Sequence, residues 1–165
     1  MSKRVIEELY EKYYKTALIY TVSLCKNKEL AEDIVSDAFE KAILTIDKEK
    51  KHFKYWLLAV CKNAYLDYAR KNKRIDPSQI EEHRLIDPSS VIESVLEKEK
   101  NRVLFKAIMQ LPENYQEILI LFYYANIPLY EIETIMNLTK ANAKTLVSRA
   151  RKKLKMVLEE MDYEF

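Results

Sequence analysis

Apolar positions recur at helical spacing along most of the chain, in two blocks parted by one stretch that lacks it. Between Lys3 and about Cys25, the residues Ile6, Leu9, Tyr13, Ala17, Thr21 and Leu24 fall on one face. A second helix begins after Asn27 and gathers Leu30, Ile34, Ala38, Phe39, Ala42 and Ile46. A third follows a charged loop and runs from Phe53 to about Asn72, with Leu57, Val60, Cys61, Ala64 and Tyr68 on its buried side. From Ile75 to about Ile92 the pattern stops. There IDPSQIEEHRLIDPSSVI holds two Asp-Pro-Ser steps, which break helices and favour turns. Periodicity then returns and predicts helices over about Glu93–Gln110, Pro112–Ala125, Leu129–Met136 and Thr139 to about Met161. Pro112 and Pro128 fit first-turn positions, where a missing N–H leaves no helical bond unmade. In the join Asn137-Leu138-Thr139, Asn tolerates the left-handed backbone of a sharp turn and Thr is a good N-cap. A short helix, a three-residue turn and a longer helix make a helix-turn-helix.

Composition narrows the class. The chain has 165 residues, of which 48% are hydrophobic, with four prolines and no glycine. Tight hairpins normally need glycine for positive-φ turns, so its absence favours helices joined by short polar turns. The expectation is an all-α fold: two small helical domains, residues 1–75 and 96–165, joined by a flexible acidic linker over 76–95. Between Asp76 and Glu99 seven acids face only Arg84 and Lys98. That acidity suits a solvated tether, or a mimic of nucleic acid inside a basic channel.

The opening MSKRVIEELYEKYY lacks the apolar run of a signal peptide, and the longest apolar stretch, Ile118 to Ala125, is too short to span a bilayer. The chain reads as intracellular, hence cytoplasmic. Cys25 and Cys61 sit among helical apolar residues and read as reduced core thiols. His52 and His83 have no metal-ligand spacing, a phosphate loop needs glycine, and no nucleophile–base pair stands out. No catalytic residue, metal, cofactor or small-molecule substrate is expected, so the chain reads as no enzyme.

Charge is nearly balanced overall, at 28 Lys and Arg against 26 Asp and Glu, yet Thr139–Lys155 holds seven cations and no acid. On a helical wheel, Ala143, Leu146, Val147, Ala150, Leu154, Val157 and Met161 gather on one side. Ala141, Thr145, Ser148, Lys152 and Lys155 lie opposite, flanked by Asn142, Lys144 and Arg149. Small polar residues let such a helix sink into a major groove while the flanking cations meet phosphates; a solvated helix with soluble lysines is the alternative. The Phe53–Asn72 helix repeats the logic. Ala59, Lys62, Asn63, Leu66, Arg70 and Lys73 line its outer side and lead into Arg70-Lys71-Asn72-Lys73-Arg74. Phe53, Tyr55 and Trp56 cluster at its start, and aromatic rings beside a cationic track suit unpaired bases. Phe53 and Trp56 also fit the core, which for Trp56 taken alone is the better reading, and a solvated basic end favoured by the helix dipole is the alternative for the last turn.

Three stretches carry a resemblance: AEDIVSDAFEKAIL (31–44), FKYWLLAVCKNAYLDYARKNKR (53–74) and LPENYQEILILFYYANIPLYEIETIMNLTKANAKTLVSRARKKL (111–154). In this order they resemble regions 2.2, 2.3–2.4 and 4 of sigma-70 family sigma factors. The chain is similar, over nearly its whole length, to the small two-domain extracytoplasmic-function (ECF) group. The resemblance implies a promoter-specificity subunit with three kinds of partner: core RNA polymerase, through its β′ clamp and β flap; promoter DNA; and an anti-sigma factor. It places Asp33, Ser36, Asp37, Phe39 and Glu40 in the polymerase-docking segment. It gives His52, Phe53, Trp56, Lys62, Asn63, Asp67, Arg70, Lys71, Lys73 and Arg74 to the −10 element, with Asn63 at the pocket for a flipped base. It gives Lys140, Asn142, Lys144, Thr145, Ser148, Arg149 and Lys152 to the −35 element.

The sequence departs from the family pattern at three points. Ser36 stands where Gln is usual, so one docking contact is lost or replaced. Leu146 stands where the recognition helix commonly has Arg, on the core-facing side of the wheel. Asn137 replaces the usual turn glycine. A stand-alone helix-turn-helix regulator is the rival reading; it accounts for 111–155 but leaves Ala31–Leu44 and the Asn63 helix without a purpose. A sigma mimic that sequesters an anti-sigma factor is a second rival.

Overall fold

A helix ends where a residue turns left-handed and the next one begins where a side chain can accept its first N–H groups, and this chain uses both devices repeatedly. Lys26 has a φ of 54° and closes the first helix, its N–H donating to the Val22 carbonyl at 2.8 Å. Asn27 then accepts from the Leu30 N–H through Oδ1 at 3.1 Å and starts the second. Asn137 repeats the left-handed step at φ 54° and ψ 53°. Thr139 Oγ1 accepts from the Asn142 N–H at 3.1 Å. Without glycine, Lys26, Asn126 and Asn137 supply the positive φ values found among the described residues.

The computed structural model describes residues 3–45, 52–73, 96 and 98–161. Seven helices appear among them: α1 Lys3–Cys25, α2 Lys28–Thr45, α3 Phe53–Lys73, α4 Glu99–Ile108, α5 Glu113–Leu119, α6 Leu129–Met136 and α7 Lys140–Glu160. They divide into two units, Met1–Asp87 and Pro88–Phe165. Ile46, the proposed linker acids up to Asp87, and Arg74 lie outside the described residues. No described helix is long and apolar enough to cross a membrane.

In the first unit α1, α2 and α3 pack against one another. The face read from sequence holds Leu9, Ala17 and Thr21, but α1 is buried all round from Ala17 to Ser23. The run ALIYTVS permits this because even its hydroxyls are satisfied locally: Thr21 Oγ1 donates to the Ala17 carbonyl at 2.7 Å. Tyr20, Leu57, Leu58 and Cys61 are fully buried. Phe39 of α2 lies 5.9 Å from Phe53 of α3, and Tyr10 of α1 lies 5.0 Å from Phe39, so one aromatic cluster joins all three helices.

The thiols belong to this core. Burial pushes the Cys61 thiol up from 9.0 to about 12, and burial likewise raises Cys25. The unfolded chain therefore releases the Cys61 proton well before the folded one does. The associated stability is complete below about pH 9 and is lost as the pH rises towards 12, by up to about 1.4 kcal/mol per pH unit. Melting curves at pH 7 and pH 10 are expected to show the first unit weakened in alkali, with the loss reduced in Cys61→Ala.

In the second unit, α4 begins later than the sequence pattern indicates. Lys98 is extended at φ −88° and ψ 129°, so this helix starts at Glu99; residues 93–95, where the pattern begins it, lie outside the described residues. Leu96 is non-helical, buried, and held through its carbonyl by Arg102 Nε at 2.6 Å. Pro112 and Pro128 sit one position before their helices, as N-caps whose carbonyls accept the first turn. The α5 helix continues as a π turn over Ile120–Tyr124, where the Ala125 N–H reaches the Ile120 carbonyl at 2.8 Å. Apolar spacing alone does not distinguish such a turn from a regular one. It opens inside a run of four consecutive fully buried residues, Ile118 to Leu121. Gln116 is buried and donates through Nε2 to the Leu111 carbonyl at 2.7 Å and to Met109 at 3.1 Å.

Helices α5 and α6 both pack on α7, through Ala143, Val147, Ala150 and Val157. Thr139→Ala is expected to destabilise this unit by about 1 kcal/mol, the usual worth of an N-cap, read as a lower melting temperature.

Candidate nucleic-acid interface

The α7 face opposite its buried stripe is open. Lys140, Asn142, Lys144, Thr145, Ser148, Arg149 and Lys152 are all exposed, as are Ala141 and Lys155. Leu146 is half-buried, consistent with an edge position, while Met161, assigned to the core side, is exposed at the helix end. The face is small at its centre and cationic at its rim, a shape that fits a groove flanked by phosphates. One cation of the stretch is turned elsewhere. The Arg151 guanidinium lies 5.5 Å from the Phe122 ring centroid and 5.2 Å from that of Tyr123, and Nε donates to the Tyr123 hydroxyl. It thereby fastens α7 to the π turn.

On α3 the sequence-predicted residues separate by depth. His52 is exposed just before the helix, Trp56 and Lys62 are half-buried, and Asn63, Asp67, Arg70, Lys71 and Lys73 are exposed. Phe53 corrects an expectation: at 1% exposure it is core, touching Tyr13, Phe39 and Trp56, and presents nothing to a strand. Trp56, Asn63, Asp67 and Arg70 follow one another at intervals of seven, four and three, which keeps them on one edge of the helix. Arg70 Nη2 donates to Asp67 Oδ1. Both groups are largely exposed, so the pair orients more than it stabilises. A recess of about 630 Å³ opens beside them, lined by Asn63, Leu66, Asp67, Ala69, Arg70 and Lys73.

On α2, Asp33, Ser36, Asp37 and Glu40 are exposed. Spacings of three, four and seven place them in one acidic strip along the helix. Phe39 does not belong to it. At 4% exposure it is packed against Tyr10 and Phe53, because its angular position faces α1 and α3. Two residues that sequence reasoning missed extend the strip: Ile43 is 51% exposed and Leu44 80%. Their only sequence signal is that neither fits the buried stripe of α2.

Residues 9–75 match the family described as Sigma-70 region 2, and residues 102–154 match Sigma-70, region 4. ECF RNA polymerase sigma factor SigM of Bacillus subtilis (strain 168) is 32% identical over 158 residues, covering 91% of this chain and 93% of that protein. The chain belongs to the sigma-70 family, in its ECF group. This ECF sigma factor is also 27% identical to ECF RNA polymerase sigma factor SigW of the same organism, over 82% of its own length and 79% of that relative. Its fold is shared with the sigma factor RpoE, solved in complex with the anti-sigma factor NepR from Bartonella quintana. The TM-score is 0.62 at 20% identity, over 93% of this chain and 98% of that one.

Proposed function

We propose that this ECF sigma factor binds core RNA polymerase through the acidic strip of α2, takes the melted −10 strand along α3, and reads the −35 duplex with α7. The observation that carries the reading is the pairing, in one chain, of two exposed cationic helix faces with a separate acidic strip. A strip of one charge beside exposed aliphatic residues suits a basic protein partner rather than nucleic acid. The α3 edge offers an amide, an oriented guanidinium and a recess large enough for a base drawn out of its stack, an extrusion that costs a few kcal/mol. Residues 1–75 then act as the docking and melting domain, 76–95 as the linker and 96–165 as the −35 domain. The protein works in the cytoplasm as a binding subunit without catalytic groups of its own. An anti-sigma factor, as in the RpoE–NepR complex, is the partner expected to hold it inactive.

Run-off transcription tests the reading. Core polymerase from a related bacterium is combined with the protein on the promoter of its own gene, with Asn63→Ala and Arg149→Ala alongside. Protein-dependent transcripts that fall roughly 5- to 150-fold in either variant are expected, corresponding to one lost contact of about 1–3 kcal/mol. Tight duplex binding without polymerase and without transcripts would instead describe a stand-alone regulator. Association with an anti-sigma factor alone would describe a mimic.

A further inference from the structure

Helices α4 and α7 pack together in the second unit and leave an open groove of about 350 Å³ between them. One stripe of each helix borders it. Lys100, Leu104 and Ile108 follow at helical spacing on α4, and Arg151, Leu154, Lys155 and Leu158 do so on α7. Tyr123 of the π turn completes the wall. Gln110, just past α4, donates through Nε2 to Met161 Sδ at the end of α7, at 3.7 Å. Ile108 and Leu158 therefore lie towards the end where the helices meet, and Lys100 and Arg151 towards the other. The polarity of the groove is graded along its length. Aliphatic side chains line one end and cations the other, and among the described residues no acid lines it. Lys155, which the helical wheel gives to the cationic face of α7, stands at the edge of that face and borders the groove as well.

We propose that this α4–α7 groove is a binding site for a medium-chain fatty acid, its carbon chain among Leu104, Ile108, Leu154 and Leu158 and its carboxylate between Lys100 and Lys155. The grading selects the ligand class. An aliphatic floor leaves the polar edges of a nucleotide base unpaired, which is costly. A neutral hydrocarbon makes no use of the cationic end. An anion with a single apolar tail matches both ends at once. The volume lies near the lower end of the small-ligand range of roughly 300–1,000 Å³, which suits one short unbranched chain. Leu104, Ile108 and Tyr123 also border a cavity of about 100 Å³ that leads in to the buried Leu119 and Ile120, where the last methylenes gain further contact. Arg151, held by the Tyr123 hydroxyl, adds a third positive charge at the carboxylate end. None of the residues assigned to polymerase, the −10 strand or the −35 duplex lines this groove, so the assignment stands apart from the sigma reading.

Isothermal titration calorimetry of the intact chain tests the site with decanoate, octanoate and decyltrimethylammonium, each below its micelle concentration. Decanoate is expected to saturate a single site and to bind about 15-fold more tightly than octanoate, the worth of two buried methylenes. Decyltrimethylammonium carries the same chain with the opposite charge and is expected to give no saturable heat. Lys100→Gln and Lys155→Gln are each expected to weaken decanoate about 2- to 5-fold, the worth of one exposed ion pair, and Lys155→Arg to keep the parent affinity. Both lysines are exposed, so melting curves of the variants should match the parent. Cationic-chain binding as tight as that of decanoate overturns the proposal, and so does a decanoate affinity that neither substitution changes. Absence of saturable decanoate binding overturns it outright. Should Lys155→Gln then also lower the affinity for core polymerase, the groove is a protein contact instead.

Discussion

Reversing Asp33 and Asp37 together, as Asp33→Lys and Asp37→Lys, is expected to weaken binding to core RNA polymerase roughly 100-fold or more while leaving the fold intact. Both side chains are exposed and lie one helical turn apart on α2. Placing like charges against a complementary partner costs several kcal/mol, far more than a surface charge contributes to the stability of its own domain. The separation of the two effects is the point of the experiment. Neither aspartate touches the aromatic cluster around Phe39, so the melting temperature should move little. Fluorescence anisotropy of labelled protein titrated with core polymerase gives the affinity, and a melting curve gives the control. A variant that binds normally would remove α2 from the docking surface. Leu44→Ser, which changes only the exposed apolar end of the strip, should produce a smaller loss of the same kind.

The second large effect is on stability. Leu57→Ala is expected to destabilise the first unit by about 2–5 kcal/mol, because Leu57 is fully buried where α3 packs on its neighbours. Domains of this size have only about 5–15 kcal/mol in total, so the variant sits close to unfolding at growth temperature. The chain supplies its own reporter. Trp56 is its single tryptophan and belongs to α3, beside Phe53, so tryptophan fluorescence follows the first unit alone. A large downward shift of that transition is expected. The helical circular-dichroism transition of the second unit should be unaffected, and its loss in the same variant would show that the second unit depends on the first. An unshifted Trp56 transition would mean that the α1–α3 interface does not limit the unit's stability.

Much of the helical architecture was legible because it is written in local chemistry. Left-handed Asn137 and capping Thr139 act within four residues of each other, and a side chain that accepts an N–H three positions away needs no distant partner to do so. The exposed face of α7 was legible for a related reason, since small and cationic residues opposite an aliphatic stripe leave one orientation that buries apolar area. Where the reading went astray, the deciding contact came from another helix. Phe39 and Phe53 sit in family positions near functional surfaces, yet each is claimed by an aromatic partner on a neighbouring helix. Leu58 lies off the single stripe read for α3 and is buried, because α3 packs against both α1 and α2. The late start of α4 depends on the extended Lys98 and on Leu96 turning inward to meet Arg102. The π turn leaves no trace in apolar spacing, and neither does the diversion of Arg151 onto Phe122 and Tyr123. Counting seven cations in one stretch therefore overstates what that stretch offers to phosphate.

Both thiols of the chain lie in the first unit, and Cys61 is fully buried, held as the neutral and unreactive form. A thiol reagent can therefore modify Cys61 only during the moments when α1 and α3 part, so the rate of labelling times that opening directly. No cysteine in the second unit competes for the reagent, and Cys25→Ala removes the other thiol of the first, so Cys61 alone keeps time. A ligand that grips the closed form slows the clock by the factor of its own binding equilibrium. Labelling free protein, holoenzyme and holoenzyme on a promoter would then rank, on one kinetic scale, how firmly each partner holds the three-helix unit shut.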